Sequence, residues 1–293
     1  MRKKFNSVVS SIVENDKDAV LLLGDIGVFN FQKTLENFPD RAFNIGILEQ
    51  SMVGVAAGFA LQGYTPIVHT IAPFIVERAF EQIKIDFGYQ GLPGNFVSVG
   101  ASFDYAALGC THHCPGDLNL LSNIPGVNLF VPGDEKEFEH QFRSNWKNGS
   151  LNYFRLSEHQ NSNSQNLSEG SFSKIKSGNL GTVIVVGPVL DRAIEATEHI
   201  DVDLLYMNSF PKDGLNFSDF ACVKNNLVII EPYYSGLVLQ NLSPTLAKNA
   251  HKILQIGVPR KFLTNYGSVD EHYTSIGFDP PQLFTRISNF LNE

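Results

Sequence analysis

Short apolar runs punctuate the first half of the chain at Ala19–Leu23, Thr65–Thr70, Asn95–Gly100, Val127–Val131 and Asn152–Arg155. They lack the strict polar alternation of half-exposed strands, which suits strands buried on both faces of a parallel sheet. Helical patterns lie between them. Leu48–Gln62 carries Gly54, Ala57, Gly58 and Leu61 on one face, small enough for another backbone to come close. Pro73–Asp86 and Asp134–Lys147 are amphipathic, the second with acidic residues near its start, where a helix dipole favours them. The pattern then lapses. Gln160–Ser177 is dominated by Asn, Ser, Gln, Gly and Lys and offers little to bury, so it reads as a linker. Strand-like runs resume at Thr182–Val186, Val202–Tyr206, Leu227–Ile230 and Ile253–Ile256, with helices near Leu190–Glu198, Leu237–Lys248 and Pro281–Leu291. This alternation predicts an α/β protein of two consecutive open, mainly parallel-sheet domains, at 1–160 and 179–293, joined by a linker at 161–178.

Composition narrows the function classes. The 293 residues are 43% hydrophobic and 18% charged, enough for two packed cores. A formal charge of −8 argues against nucleic acid or an anionic membrane surface as partner. No apolar run approaches the roughly 20 residues of a membrane span. Met1-Arg-Lys-Lys-Phe5 has the basic start of a signal peptide with no apolar core behind it. Three cysteines make no disulfide framework, so the cytoplasm is the expected compartment.

Two stretches carry candidate chemistry. Phe43-Asn-Ile-Gly-Ile-Leu-Glu-Gln50 leads into the Gly- and Ala-rich Ser51–Tyr64, which puts Glu49 at a helix start. That position suits a plain first-turn acid as well as a functional carboxyl. Cys110-Thr-His-His-Cys114 invites a zinc reading. Four ligands within five residues cannot all wrap one tetrahedral ion, however, and no second cysteine pair follows, so no metal ligands are expected here.

The order of the motifs is more specific than any one of them. Glu49-Gln50, an Ala/Gly helix, Gly63-Tyr-x-Pro66 and Phe74-x-x-x-Arg78-Ala-Phe-Glu-Gln82 resemble the pyrimidine-binding domain of the transketolase family. Deoxyxylulose-phosphate synthase is a close relative in that family. Thr111-His112-His113, Asp117 and Ile124-Pro-Gly-Val-Asn-Leu-Phe-Val-Pro-Gly-Asp-Glu135 follow in the same order. Gly257-Val-Pro-Arg260 and Tyr266-Gly-Ser-Val-Asp-Glu-His-Tyr273 resemble that family's C-terminal domain, so the likeness covers nearly the whole chain.

The resemblance implies a thiamine-diphosphate enzyme of which this chain holds the aminopyrimidine end. Glu49 is then the carboxyl that shares a proton with the pyrimidine ring nitrogen, driving the amino group to the imine that deprotonates the thiazolium carbon. Phe74 would stack on that ring and Phe80 would supply another aromatic, both being otherwise the apolar face of their helix. Asp25 and Ile26 would line the cofactor between its rings. His112 becomes the substrate-facing histidine, with His113 as a second candidate or as a neighbour that fixes the loop.

The family's Gly-Asp-Gly…Asn site for Mg²⁺ and diphosphate is missing, since Gly24-Asp-Ile, Gly116-Asp-Leu and Gly133-Asp-Glu all lack the second glycine. The implied assembly is a split enzyme whose partner, an N-terminal-half subunit, supplies that motif and the Mg²⁺, as a two-plus-two heterotetramer.

Substrate positions depart from the family. An arginine that grips sugar phosphate is replaced by Glu158 or His159, the Asp four residues before the active histidine by Leu108, and a phosphate-binding histidine by Ala101. The expected reaction therefore moves a two-carbon ketol or acyl unit to a carbonyl acceptor other than an ordinary aldose phosphate. Two alternatives remain open. One is the beta subunit of a 2-oxoacid dehydrogenase's decarboxylating component, and the other is a non-catalytic scaffold subunit.

Overall fold

The computed structural model describes residues 1–216, 222–247 and 249–292. Its strands are β1 (Ala19–Leu23), β2 (Ala42–Asn44), β3 (Thr65–Ile71), β4 (Gly94–Val99), β5 (Val127–Phe130), β6 (Leu151–Arg155), β7 (Ser173–Lys176), β8 (Gly181–Val186), β9 (Val202–Met207), β10 (Ser209–Phe210), β11 (Asn226–Tyr234) and β12 (Lys252–Val258). The helices are α1 (Arg2–Asn15), α2 (Gln32–Asn37), α3 (Glu49–Leu61), α4 (Phe80–Gln82), α5 (Asp117–Leu121), α6 (Glu135–Asn145), α7 (Leu190–Thr197), α8 (Leu237–Leu246), α9 (Val269–Ser275) and α10 (Pro280–Asn292).

Two sheets result, one ordered β10-β5-β6-β4-β3-β1-β2 and the other β12-β11-β8-β9-β7. Pairing is parallel except where β10 meets β5 and β7 meets β9, so the α/β class with two mainly parallel sheets stands. Alternate residues of each strand feed opposite faces. Val20, Leu22 and Val68 pack under Met52, Val53, Ala56 and Ala60 of α3. Leu21, Leu23, Ile67 and Val97 pack against Phe5 and Val9 of α1 and Phe138 and Phe142 of α6. Asp134 caps α6 by accepting from the backbone N–H of Lys136 and Glu137.

Three regions differ from the sequence reading. The first fourteen helical residues, α1, were not anticipated. Phe5, Val8, Val9, Ile12 and Val13 bury a proper helical stripe, which the basic start obscured. The helix expected over Pro73–Asp86 is broken into π-helical turns at Pro73–Glu77 and Ile83–Tyr89 around the short α4. Ile75, Val76, Ala79 and Ile83 stay in the core, while Arg78 is exposed and Phe74 half-buried. The stretch read as linker contains β7, an edge strand that carries two lysines. Lys176 donates to the carbonyls of Thr197 and Ile200, and Lys174 pairs with Asp203. Edge strands tolerate such charge, which is why burial gave no signal here. The expected helix end at Lys248 lies outside the described residues.

The second sheet's half of the chain is fastened to the first. Ser209 and Phe210 of β10 extend the first sheet beyond β5. Glu137 Oε2 accepts from Gly133 N–H, the Tyr206 hydroxyl and Asn208 Nδ2, while its Oε1 accepts from Gln165 N–H.

Candidate active site

The sheet order sets the carboxyl ends of four neighbouring parallel strands side by side. β4 leads into the loop with His112, β3 into Phe74, β1 into Asp25 and Ile26, and β2 into Glu49. The chain passes from β1 out to β2 and then back to β3, so strand order reverses between β1 and β3. Crevices beyond the carboxyl ends of strands at such a reversal are where open α/β sheets bind ligands.

Glu49 is the first residue of α3 and only 1% exposed. Its Oε2 accepts from Arg78 Nη1 at 2.8 Å, and its Oε1 is buried with no partner among the described residues. The Arg78 guanidinium lies 4.4 Å from the centre of the Phe74 ring. Phe74 in turn meets His112 edge-on, with ring centres 5.3 Å apart. Glu49, Arg78, Phe74 and His112 thus form one continuous chain of contacts. Thr111 Oγ1 lies 3.0 Å from His112 Nδ1, and the Tyr105 ring stands edge-on to the same imidazole at 6.3 Å.

The remaining candidates are placed differently. Asp25 holds φ at 63°, the left-handed region that few non-glycine residues adopt. Its N–H donates to Asn44 Oδ1, and Asn44 Nδ2 donates back to its carboxylate, tying the end of β1 to the end of β2. Ile26 packs half-buried on the α1 side of the sheet. Phe80 packs against the core that α3 shares with β1 and β3. The His113 ring packs edge-on against Phe103 and His272 of α9, with its Nε2 buried and without a partner among the described residues. Burial and the neighbouring imidazoles push its pKa down to about 4.

Cys110 is exposed, whereas Cys114 is buried with its thiol directed at Glu77 Oε1, 3.6 Å away. Burial raises the pKa of both Cys114 and Glu77. Among the described residues no group of three or more His, Cys, Asp or Glu side chains is placed to hold a metal ion.

Beside Tyr105 opens a cavity of about 360 Å³ over the carboxyl ends of β4 and β6. Glu158, Glu135, Arg2 and Lys3 line it. His159 turns instead toward Tyr273, so of the two residues at the expected phosphate position it is Glu158 that faces the cavity. Leu108 is exposed and Ala101 buried.

Residues 1–162 match the family model for the transketolase, pyrimidine-binding domain. The chain belongs to this family. Over 291 residues it is 36% identical to an "uncharacterized 33.6 kDa protein in fasciation locus" of Rhodococcoides fascians, covering 98% of this chain and 93% of that protein. It is 34% identical over 128 residues to one subunit of the apulose-4-phosphate transketolase of Actinobacillus succinogenes, covering 43% of this chain and 41% of that relative. A 1-deoxy-D-xylulose-5-phosphate synthase of Aromatoleum aromaticum is 28% identical over 86% of this chain, which spans only 42% of the synthase. In fold, the chain superposes with TM-score 0.83 on a split-gene transketolase described as an inactive beta4 tetramer, at 22% identity and covering 99% and 98% of the two chains.

Within this transketolase-family chain, Arg78 is the residue of the site that sequence reasoning passed over. It stands four positions after Phe74 in the Phe74–Gln82 motif, and that i, i+4 spacing is the available signal. Its partner Glu49 lies twenty-nine residues away and gave none.

Proposed function

We propose that this chain is the C-terminal-half subunit of a two-chain, thiamine-diphosphate-dependent transketolase-type enzyme. It would transfer a two-carbon ketol or acyl unit to a carbonyl acceptor that is not an ordinary aldose phosphate. The observation that carries the reading is the buried Oε1 of Glu49, without a partner among the described residues, on a carboxyl joined through Arg78 to the half-buried Phe74 ring. A buried acceptor without a partner costs free energy that a ligand's hydrogen bond recovers. A carboxyl that can accept from an amino group or share a proton with a ring nitrogen, near an aromatic face, suits an aminopyrimidine.

When bound, thiamine diphosphate supplies the carbanion chemistry at its thiazolium carbon. Glu49 would hold and move the proton at the pyrimidine nitrogen through Oε1, with Oε2 fixed by Arg78. Phe74 would stack on the ring, and Asp25 and Ile26 would border it from the neighbouring strand end. His112 would donate to the oxygen of the donor substrate, with His113 fixing the loop beneath it. The cavity beside Tyr105 mixes Glu158 and Glu135 with Arg2 and Lys3, not the cluster of cations that suits a phosphate dianion.

Mg²⁺ and the diphosphate fall to a partner with the Gly-Asp-Gly…Asn motif. Ile47, Leu48, Val55, Leu61 and Tyr64 are exposed around Gly54 and Gly58, an apolar face suited to such a partner. We place two copies of each chain around a two-fold axis, in the cytoplasm. Reconstitution with the partner tests the reading through hydrogen–deuterium exchange at the thiazolium carbon. Glu49→Ala should fold normally and slow that exchange by orders of magnitude, and an unchanged rate would sink the assignment.

A further inference from the structure

We infer that Arg155, with Asp117 and Ser102, is a positioning device for His112, and that the second sheet acts on catalysis through it. The inference rests on His112 as the substrate-facing histidine. The loop that carries His112 leaves β4 at Gly100 and ends at Asp117, the first residue of α5. Arg155 closes β6 directly beneath it and is 2% exposed. Its Nε donates to Asp117 Oδ2 at 2.7 Å and its Nη2 to Ser102 Oγ at 2.6 Å, so one rigid guanidinium grips both ends of the loop. Tyr153 adds a hydroxyl bond to the same Asp117 oxygen at 2.8 Å.

Ser102 is the joint of this device. It holds φ at 52°, a strained left-handed value for serine, and its Oγ donates to the carbonyl of Pro232 in β11. Its own carbonyl accepts from Cys114 N–H at 2.7 Å, closing the loop's neck. Two further contacts come from the second half of the chain. Tyr234 N–H donates to the Pro115 carbonyl, and the Tyr266 ring lies so close over Gly109 that a Cβ there would meet it at 2.7 Å. His112 sits at the tip, between these anchors, against Phe74 and Tyr105.

The plainer account is core glue between β6 and α5. A fully buried ion pair is a poor source of net stability, because desolvation offsets the attraction, and here Asp117 Oδ1 is also buried without a partner among the described residues. What a planar fork on two fixed points does supply is geometry. Misplacing a reacting group by about 1 Å can cost roughly a hundredfold in rate.

The test is a double-mutant cycle in the enzyme assembled with its partner, pairing Ser102→Ala with His112→Ala. Ser102→Ala should lower kcat toward the His112→Ala value, leave KM within about twofold and add nothing in the His112→Ala background. Amide exchange measured by mass spectrometry, in this chain alone, should rise over residues 101–116. Additive losses, or wild-type kcat with the loop's protection gone, would overturn the proposal. An Arg155→Met, Asp117→Leu pair removes the buried charges together. It should restore folding without restoring kcat, and full kcat in that variant would make the pair mere packing. Failure of the cofactor reading shows separately, as absent thiazolium exchange in the wild-type enzyme.

Discussion

Arg78 covers the Phe74 ring at 4.4 Å, and the same guanidinium donates to Glu49 Oε2 at 2.8 Å. A flat nitrogen-bearing group thus makes, in this chain, the stacking and carboxyl contacts proposed for the cofactor's ring. Glu49 is buried while Arg78 is 41% exposed, so the pair is held from the carboxyl side.

The first prediction concerns that pair. Arg78→Leu leaves Glu49 with both oxygens buried and unpartnered, which should cost roughly 1–3 kcal/mol. Thermal unfolding should show a lower Tm for Arg78→Leu and recovery when Glu49→Leu is added. Equal Tm values for wild type and Arg78→Leu would show that the ion pair contributes nothing.

The chain alone should bind thiamine diphosphate weakly or not at all, even with Mg²⁺. It offers one carboxyl oxygen and an aromatic face, and the diphosphate would meet a protein of formal charge −8. Calorimetry giving micromolar binding by the isolated chain would contradict the split-enzyme reading.

Gly58 looks into open space, since a Cβ built there has no neighbour within 4 Å, and Gly54 is exposed beside it. Gly58→Leu should therefore fold as wild type yet fail to join the partner, because a permanent interface tolerates little added bulk. Light scattering of the co-expressed wild-type pair should give two-plus-two, and an active one-to-one heterodimer would refute it.

Two buried groups give opposite pH dependence. Burial lowers the pKa of His69 to about 4, so between that value and its ordinary 6.5 the unfolded chain binds more protons. Stability from this group rises with pH across that window, by up to about 3 kcal/mol. Burial raises Asp104 to about 7 from 3.8, against the bonds it accepts from Glu158 N–H and Ser157. Here the folded chain binds more protons, so stability falls as pH rises from about 4 to 7. Unfolding titrations should steepen upward with pH in Asp104→Asn and fall more steeply with pH in His69→Leu. Identical pH profiles in all three proteins would exclude both effects.

Much of the fold was legible because a strand buried on both faces is mostly apolar, with only a few buried polar residues such as His69 of β3. β1 occupies the very residues of its apolar run, and β3, β4, β6 and β8 lie within a residue of theirs. β7 escaped because an edge strand can carry lysines, and β10 because two residues hold no period. The helix at Pro73 was right in kind but not in geometry, since π turns keep the apolar spacing while freeing Phe74 and Arg78 from the core.

The sequence by itself determined the fold class, the order of motifs that marks the family, and Glu49 at a helix start. Each is written in local spacing or in motif order. The tertiary structure alone decided that Arg78 pairs with Glu49, that Arg155 grips Ser102 and Asp117, and that Glu158 rather than His159 faces the cavity. Those contacts join side chains twenty-nine to fifty-three residues apart on neighbouring strand ends. No helical or strand period extends that far, so only the order in which the strands pair brings these residues within reach.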